Sequence, residues 1–280
     1  VVRDVVVVIG AGGMGRAIAR RQAGGKQVLL ADFDETTLRT AADAMVDDGH
    51  TVIAASVDVS ARESVAELAK TAESLGPVTQ IVHTAGLSPA QAPTAAILRV
   101  DLVGVGLVLE EFGQVVAPGG AGVVIASMGG HMGTLPADLE AALATTPTDE
   151  LLNLPALAPD VLTEPGLAYA IAKRANHLQV RVASVAWGER GARINSISPG
   201  IISTAMGRQE LSSAATGDGM RAMIGMSAAE RAGTPDDIAA AAAFLLGPDA
   251  AFVTGTDLLV DGGVVAAFLG RAASAAAETH

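Results

Sequence analysis

Short apolar runs alternate with longer stretches whose apolar positions recur every three or four residues, along almost the whole chain. The run Val5–Ile9 is entirely β-branched and is stopped by Gly10, which reads as a strand buried on both faces, as in parallel sheets. Helical periodicity follows over 14–23, a strand over 27–31 ending at Asp32, a helix over 35–45, and a strand over 51–57 ending at Asp58. The helix over 60–75 opens with Ser60 as its expected N-cap, with Glu63 three residues on. Further strands are expected at 80–84, 122–127, 192–196 and 258–260, and further helices at 95–116, 166–188 and 235–246. Strict alternation of this kind predicts right-handed βαβ crossovers. The expected fold class is therefore α/β, a doubly wound, mainly parallel seven-stranded sheet with helices on both faces, in one domain over 1–280. Two stretches break the rhythm. Residues 131–166, rich in Ala, Leu and Pro, read as a helical insertion, and residues 201–230 are too long for a simple link and read as a substrate loop.

Composition narrows the function. Half of the 280 residues are apolar, so a large core is available, but only 2% are aromatic, and that core must be built from Ala, Val, Leu and Ile. The formal net charge of −12 repels phosphate polyanions and argues against a nucleic-acid partner. The absence of cysteine removes thiolate catalysis and cysteine metal sites and fits a cytoplasmic location. No apolar run approaches the ~20 residues a membrane span needs, and no basic-then-apolar leader opens the sequence, although Val1 need not be the native start. No membrane partner is expected.

The segment Gly10-Ala11-Gly12-Gly13-Met14-Gly15 fits G-x-G-x-x-G directly after a strand and at the opening of a helix. Such glycines let the backbone approach a pyrophosphate, and the helix N-terminus supplies N–H groups and a positive dipole. The expected sheet is then Rossmann-like. Asp32 closes the second strand 22 residues after Gly10, where a carboxylate can accept from the hydroxyls of an adenosine ribose. A 2′-phosphate there would face a like charge, so the expected cofactor is NAD (NADH); Arg16, the nearest base, lies beyond the last glycine. Asp58 ends the third strand, where it is either a contact to the adenine amino group or a simple N-cap contribution near Ser60.

Tyr169 and Lys173 stand four residues apart, on one face of the helix expected there, and Tyr169 is the only tyrosine. A free phenol has a pKa near ~10 and is a poor base at neutral pH. A neighbouring ammonium and the positive ring of an oxidised nicotinamide both favour the phenolate, and a depression of roughly two or three units is expected.

With Ser127 added, the ordered set resembles the short-chain dehydrogenase/reductase family over nearly the whole chain. The set comprises the Gly-rich turn, Asp32, Asp58-Val59, Thr84-Ala85-Gly86, Ser127, Tyr169/Lys173, Asn195-Ser196-Ile197-Ser198-Pro199-Gly200 with Thr204, and Arg231 to Ala239 followed by Thr254-Gly255 and Val260-Asp261-Gly262-Gly263. The resemblance implies that Ser127 hydrogen-bonds the substrate oxygen, that Tyr169 transfers the proton, and that Lys173 lowers its pKa and holds the nicotinamide ribose. It implies a cofactor groove formed by Gly10, Gly12, Gly13, Met14 and Gly15 at the pyrophosphate. Asp32, Phe33, Asp58 and Val59 would stand at the adenosine, and Ala85 and Gly86 beside the ring. Pro199, Gly200, Ile202 and Thr204 would lie along the nicotinamide. The implied activity is interconversion of a secondary alcohol and a ketone, on a small and rather apolar substrate, in a homodimer or homotetramer.

Four departures qualify the resemblance. Ile9 stands where the family has threonine, and the glycine loop is one residue shorter. His83-Thr84-Ala85-Gly86 replaces Asn-Asn-Ala-Gly, and Asp101 occupies the place of an asparagine that anchors a proton-relay water. An aspartate there is expected to pair with Lys173 and leave a retained but altered relay, so Asp101 joins Ser127, Tyr169 and Lys173 in the catalytic set. Finally, 42 positions separate Ser127 from Tyr169, an enlargement similar to that of the 3α-hydroxysteroid dehydrogenase/carbonyl reductase branch. Leu135, Leu139, Leu143, Leu151, Leu154 and Leu157 of this insertion could cover a subunit face, roof the cleft, or pack on the domain itself. His131 has no second histidine or carboxylate at ligand spacing, so it reads as a loop histidine and no metal is expected. The methionines at 206, 220, 223 and 226 suit an adaptable apolar wall or simple core filling. Two other functions compete: a 3-oxoacyl thioester reductase, which a basic cleft mouth would favour, and a dinucleotide sensor without turnover.

Overall fold

A computed structural model of the chain describes residues 3–214 and 216–278. Seven strands, β1 (Val5–Ile9), β2 (Gln27–Asp32), β3 (Thr51–Ser56), β4 (Val78–His83), β5 (Val116–Ile125), β6 (Arg193–Pro199) and β7 (Asp257–Val260), form one sheet in the order β3-β2-β1-β4-β5-β6-β7. Every pairing is parallel, which sharpens the expected mainly parallel sheet. The strand order reverses between β1 and β4, and the crevice beyond the carboxyl ends of those two strands is where ligands enter sheets of this kind.

Alternation along β1 explains the two-faced core. Val5, Val7 and Ile9 point into one apolar layer with α3 (Arg62–Leu75), α5 (Gly104–Val115) and α7 (Pro165–Glu189). Val6 and Val8 point into the other layer, with α1 (Gly13–Gln22), α2 (Glu35–Asp47) and α10 (Pro235–Leu246). Both faces are thus apolar and covered, as parallel strands require. Trp187 and Phe112 are the largest wholly buried side chains, and the rest of the core is aliphatic.

Local differences from expectation have identifiable causes. The helix expected over 95–116 is divided into α4 (Thr94–Ile97), a π-helical turn (Leu98–Val103) and α5. The amides of two α7 side chains meet its displaced carbonyls: Asn176 donates to Asp101 O at 2.8 Å and Gln179 donates to Leu102 O at 3.1 Å. Ser60 does not cap α3, whose N-cap is Ala61; its hydroxyl donates instead to Asp58 Oδ1 at 2.7 Å. The strand expected at 122–127 begins earlier, at Val116, and stops two residues before Ser127.

The insertion packs on its own domain. It holds α6 (Ala137–Thr145) and two 3-10 turns, Thr148–Asn153 and Pro155–Leu157. Leu143, Leu151 and Leu157 are buried in the layer that contains α5 and α7, with Leu135, Leu139 and Leu154 packed against it. Arg62 binds Glu110, Glu111 and Asp149 at 2.7–2.9 Å, and Arg174 binds Glu140 at 2.6 Å, which fastens the insertion to α3, α5 and α7. The expected substrate loop contains α8 (Ala205–Ser212) and α9 (Gly217–Met226), and a last helix, α11 (Val264–Glu278), follows β7. No helix among the described residues is long and apolar enough to cross a membrane.

Candidate active site

The Gly-rich turn is made by close backbone approach. Gly10 has φ +102°, and a Cβ there would lie 2.6 Å from Ala85 N; one on Gly15 would strike Gly10 O. Thr84 locks the turn from β4, its hydroxyl donating to Gly10 O at 2.9 Å and its N–H to Ile9 O at 2.7 Å. A Cβ on Gly12, by contrast, would meet nothing within 4 Å. The first turn of α1 has no side-chain cap, so its N–H groups remain for an incoming anion. This open, uncapped cradle fits a pyrophosphate. The adjoining groove, about 420 Å³, runs past Gly12, Gly13, Arg16, Arg20 and Thr37 to Thr204 and Arg208. Arg20 is paired with Asp48.

At the adenosine end, Asp32 is fixed rather than free: Oδ2 accepts from Ala11 N at 2.6 Å and Oδ1 from Asp34 N at 2.9 Å. One lone-pair direction on each oxygen remains for a ribose hydroxyl. Phe33, next in the chain, is 74% exposed. Asp58 accepts from both N and Oγ of Ser60, and buried Val59 packs where a Cβ on Gly104 would stand 3.1 Å away. At the opposite end, Met14, Pro199, Gly200, Ile202 and Thr204 line one cavity with Ser127 and Tyr169. Thr204 Oγ1 accepts from Gly207 N to cap α8, and its methyl would be 3.0 Å from a Cβ on Gly13. The loop after β6 is thereby tied to the Gly-rich turn.

Tyr169, Lys173 and His177 occupy successive turns of one face of α7. Lys173 is 4% exposed, with Nζ 5.4 Å from the centre of the Tyr169 ring and 2.9 Å from Asp101 Oδ1. Asp101, on the π-helical turn, is wholly buried and also accepts from Leu87 N at 3.0 Å. Gly86 is required at this junction, because a Cβ would lie 2.6 Å from Asp101 Oδ1. Ser127 Oγ accepts from Gly129 N at 3.1 Å, capping the turn Met128–His131 and leaving its O–H to donate elsewhere.

The charges act together. Burial pulls Lys173 down, but Asp101 and Tyr169 outweigh it and its pKa stands above the ordinary lysine value. Burial lifts Asp101, against the pull of Lys173 and the Leu87 N–H. The depressed phenol expected from the sequence is reversed in the free protein. Burial raises the Tyr169 pKa, Lys173 and the Ser127 hydroxyl lower it only partly, and Asp101 and Glu210 add to the rise. An ammonium already bound to a carboxylate has less field left for a phenol 5 Å away.

Histidines add two further features. His83 is buried with no hydrogen-bond partner for either ring nitrogen among the described residues; burial and nearby Lys173 hold its pKa at about 3, so it is neutral. His131 is not a solitary loop residue. Its Nε2 is 2.7 Å from Asp257 Oδ2, and His177 Nε2 lies 3.5 Å from Asp257 Oδ1 and 2.9 Å from Ser198 Oγ. Asp257 Oδ1 further accepts from Ser196 at 2.6 Å and Ser198 at 3.0 Å. These contacts make the cluster a hydrogen-bonded clamp between the Ser127 turn, α7, β6 and β7. Signals 126 positions apart in the chain could not reveal it.

The cavity beside Tyr169 encloses about 430 Å³ and is mainly apolar, with Met14, Met128, Met206, Met220 and Met223 in its wall. Met226 is not among its lining residues, nor is any residue of 133–165, so the insertion does not roof it. Glu210 of α8, absent from the residues singled out in the sequence, lines it as well.

The family model described as short chain dehydrogenase matches residues 4–137, and that described as enoyl-(acyl carrier protein) reductase matches residues 139–265. The chain is 43% identical over 268 residues to the short-chain dehydrogenase/reductase bsc3 of Alternaria brassicicola, covering 94% of this chain and 96% of that relative. It is 31% identical to galactitol 2-dehydrogenase (L-tagatose-forming) of Cereibacter sphaeroides, covering 91% and 92% of the two chains. Among solved structures, levodione reductase superposes with a TM-score of 0.75 at 26% identity, over 94% of this chain and 98% of that one.

Proposed function

The chain belongs to the short-chain dehydrogenase/reductase family, oxidoreductases of alcohols and ketones that bind a nicotinamide dinucleotide, and from that premise we propose an NAD(H)-dependent enzyme that interconverts a secondary alcohol and a ketone with Tyr169 as its acid and base. One observation carries the reading: the Tyr169 ring and the Ser127 hydroxyl face one apolar cavity, with the Lys173 ammonium behind the ring. The nicotinamide supplies or accepts the hydride when bound. Ser127, whose oxygen already accepts from Gly129 N, donates its O–H to the substrate oxygen. Tyr169 gives its proton to that oxygen during reduction and recovers one during oxidation. Lys173 and Asp101 behind it form the buried path on which the proton is replaced, Asp101 serving where the family has asparagine. Asp32, held by two backbone N–H groups at the end of β2, favours ribose hydroxyls over a 2′-phosphate and so NAD(H) over NADP(H). We place the enzyme in the cytoplasm as a homo-oligomer, with a small, mainly apolar ketone or alcohol as substrate.

The thioester reductase reading loses support because no lysine or arginine lines the cavity among the described residues. The sensor reading predicts binding without turnover. Following NADH oxidation against a panel of ketones, with Tyr169→Phe as the control, separates them. Turnover is expected in the parent chain and a loss of at least roughly a hundredfold in the variant, with NADH binding kept, which is the scale of removing a general acid. Retained binding with no turnover in the parent would leave the sensor.

A further inference from the structure

Glu210 is the one charged side chain among the described residues that line the cavity beside Tyr169. It projects from α8, is half-buried, and faces a wall of methionine, isoleucine, proline and alanine. Its charge reaches the reacting phenol, raising the Tyr169 pKa. Burial raises the Glu210 carboxyl itself, with the Ser88 hydroxyl pulling the other way. No cation among the described residues of the cavity wall balances it.

A wholly apolar substrate filling this cavity would strip water from the half-buried carboxyl and offer it no donor in return, which disfavours binding. A substrate with a carboxylate of its own would add repulsion. A group that donates a hydrogen bond would satisfy the acceptor.

From this juxtaposition we propose that Glu210 is a specificity subsite for a hydrogen-bond donor on the substrate, so that the enzyme's substrate is a ketone carrying a second hydroxyl or an amino group, or the corresponding diol or amino alcohol. The inference rests on the cavity being the ketone site and adds the substrate class to it. Specificity arises because a buried acceptor built for a donor rejects the analogue that lacks one far more strongly than an apolar wall rejects an added hydroxyl.

The test uses the full chain with NADH and four cyclohexanones: unsubstituted, hydroxy-, amino- and carboxy-substituted. The parent is expected to prefer the hydroxy or amino ketone over the unsubstituted one by roughly tenfold or more in kcat/KM, with the carboxy ketone poorest. Glu210→Leu should collapse that ratio to within roughly threefold, through a rise in KM for the donor-bearing ketone and a gain for the unsubstituted and carboxy ketones. Glu210→Gln should keep the hydroxy preference and lose the amino preference if the donor is an ammonium. NADH binding should match the parent in both variants, which checks their folding. A parent that prefers the unsubstituted ketone, or a Glu210→Leu enzyme with an unchanged ratio, overturns the proposal. Calorimetric titration of the same ketones into the NADH complex reads the same ratio without turnover. A protein that binds with the ratio and never turns over would sink the catalytic reading alone, whereas turnover without the ratio would sink the subsite alone.

Discussion

On the proposed reading, the Gly-rich turn offers the cofactor backbone, whereas the face around Tyr169 offers the substrate side chains held by buried charge. The turn needs only absences: no Cβ at Gly10 and Gly15, where the chain crosses itself, and none at Gly12, where the groove opens. The tyrosine face needs presences, brought from α7, the π-helical turn, the Ser127 turn, β6 and β7. A backbone site is rigid because sterics leave it no alternative. A side-chain site is rigid only while every buried partner is satisfied.

That contrast can be broken most sharply at the turn, with two alanines three residues apart. Gly15→Ala drives a methyl into Gly10 O and should lower stability by roughly 1–3 kcal/mol, with NADH binding lost. Gly12→Ala sits at φ −69°, ψ −170°, which any residue adopts, with nothing within 4 Å. Its stability should stay within about 0.5 kcal/mol of the parent while NADH binding weakens about tenfold. Denaturant unfolding and fluorescence titration measure both. Equal stability losses in the two variants would mean that the glycines serve folding alone.

The same contrast decides what could be read from the sequence. The turn was legible because its determinants are local: a β-branched strand, glycines at fixed spacing, and an acid at the end of the next strand. Ser127, Tyr169 and Lys173 were legible as an ordered motif, and the pairing of Asp101 with Lys173 followed from the charge standing where an asparagine is usual. The net direction of the Tyr169 pKa was not legible, because burial has no signature in a four-residue spacing. Nor was the π-helical turn, which depends on Asn176 and Gln179 reaching it from a helix some 75 positions later. The clamp at Asp257 and the carboxylate at Glu210 are likewise products of tertiary approach, as is the docking of the leucines of the insertion on α5 and α7.

On the tyrosine side the second largest effect is expected at Asp101. Its negative charge raises the Tyr169 pKa directly and also engages the ammonium that would lower it. On the proposed mechanism alcohol oxidation uses the phenolate, so its rate should rise with pH up to the Tyr169 pKa in the enzyme–cofactor complex. Asp101→Asn removes the carboxylate charge, lowers that pKa, and should move the rising limb of kcat toward lower pH. An unmoved limb would mean that the pair is structural only, and an upward shift would mean that Lys173 has surrendered its proton.

The smallest effect is expected farther back, where the clamp touches the chemistry only through the Ser127 turn. Asp257 binds His131, four residues beyond Ser127, and both Ser196 and Ser198 of β6. His177, one turn beyond Lys173, is held neutral mainly by burial, with its pKa pulled to about 4 against the opposing field of Asp257. An unfolded histidine takes a proton near pH 6.5, so the stability held by this neutral imidazole is present above that pH and is lost as the pH falls toward 4. Asp257→Asn removes the opposing field and one strong acceptor together. The variant should therefore lose stability more steeply than the parent between pH 6.5 and 4, and at pH 7.5 its kcat should fall roughly threefold, about 0.7 kcal/mol, with NADH affinity unchanged. Thermal unfolding at stepped pH and steady-state rates read the two halves separately. If kcat holds while the acid limb steepens, the clamp stabilises the fold without aiming Ser127, and the precision of the tyrosine face comes from the Asp101–Lys173 pair alone.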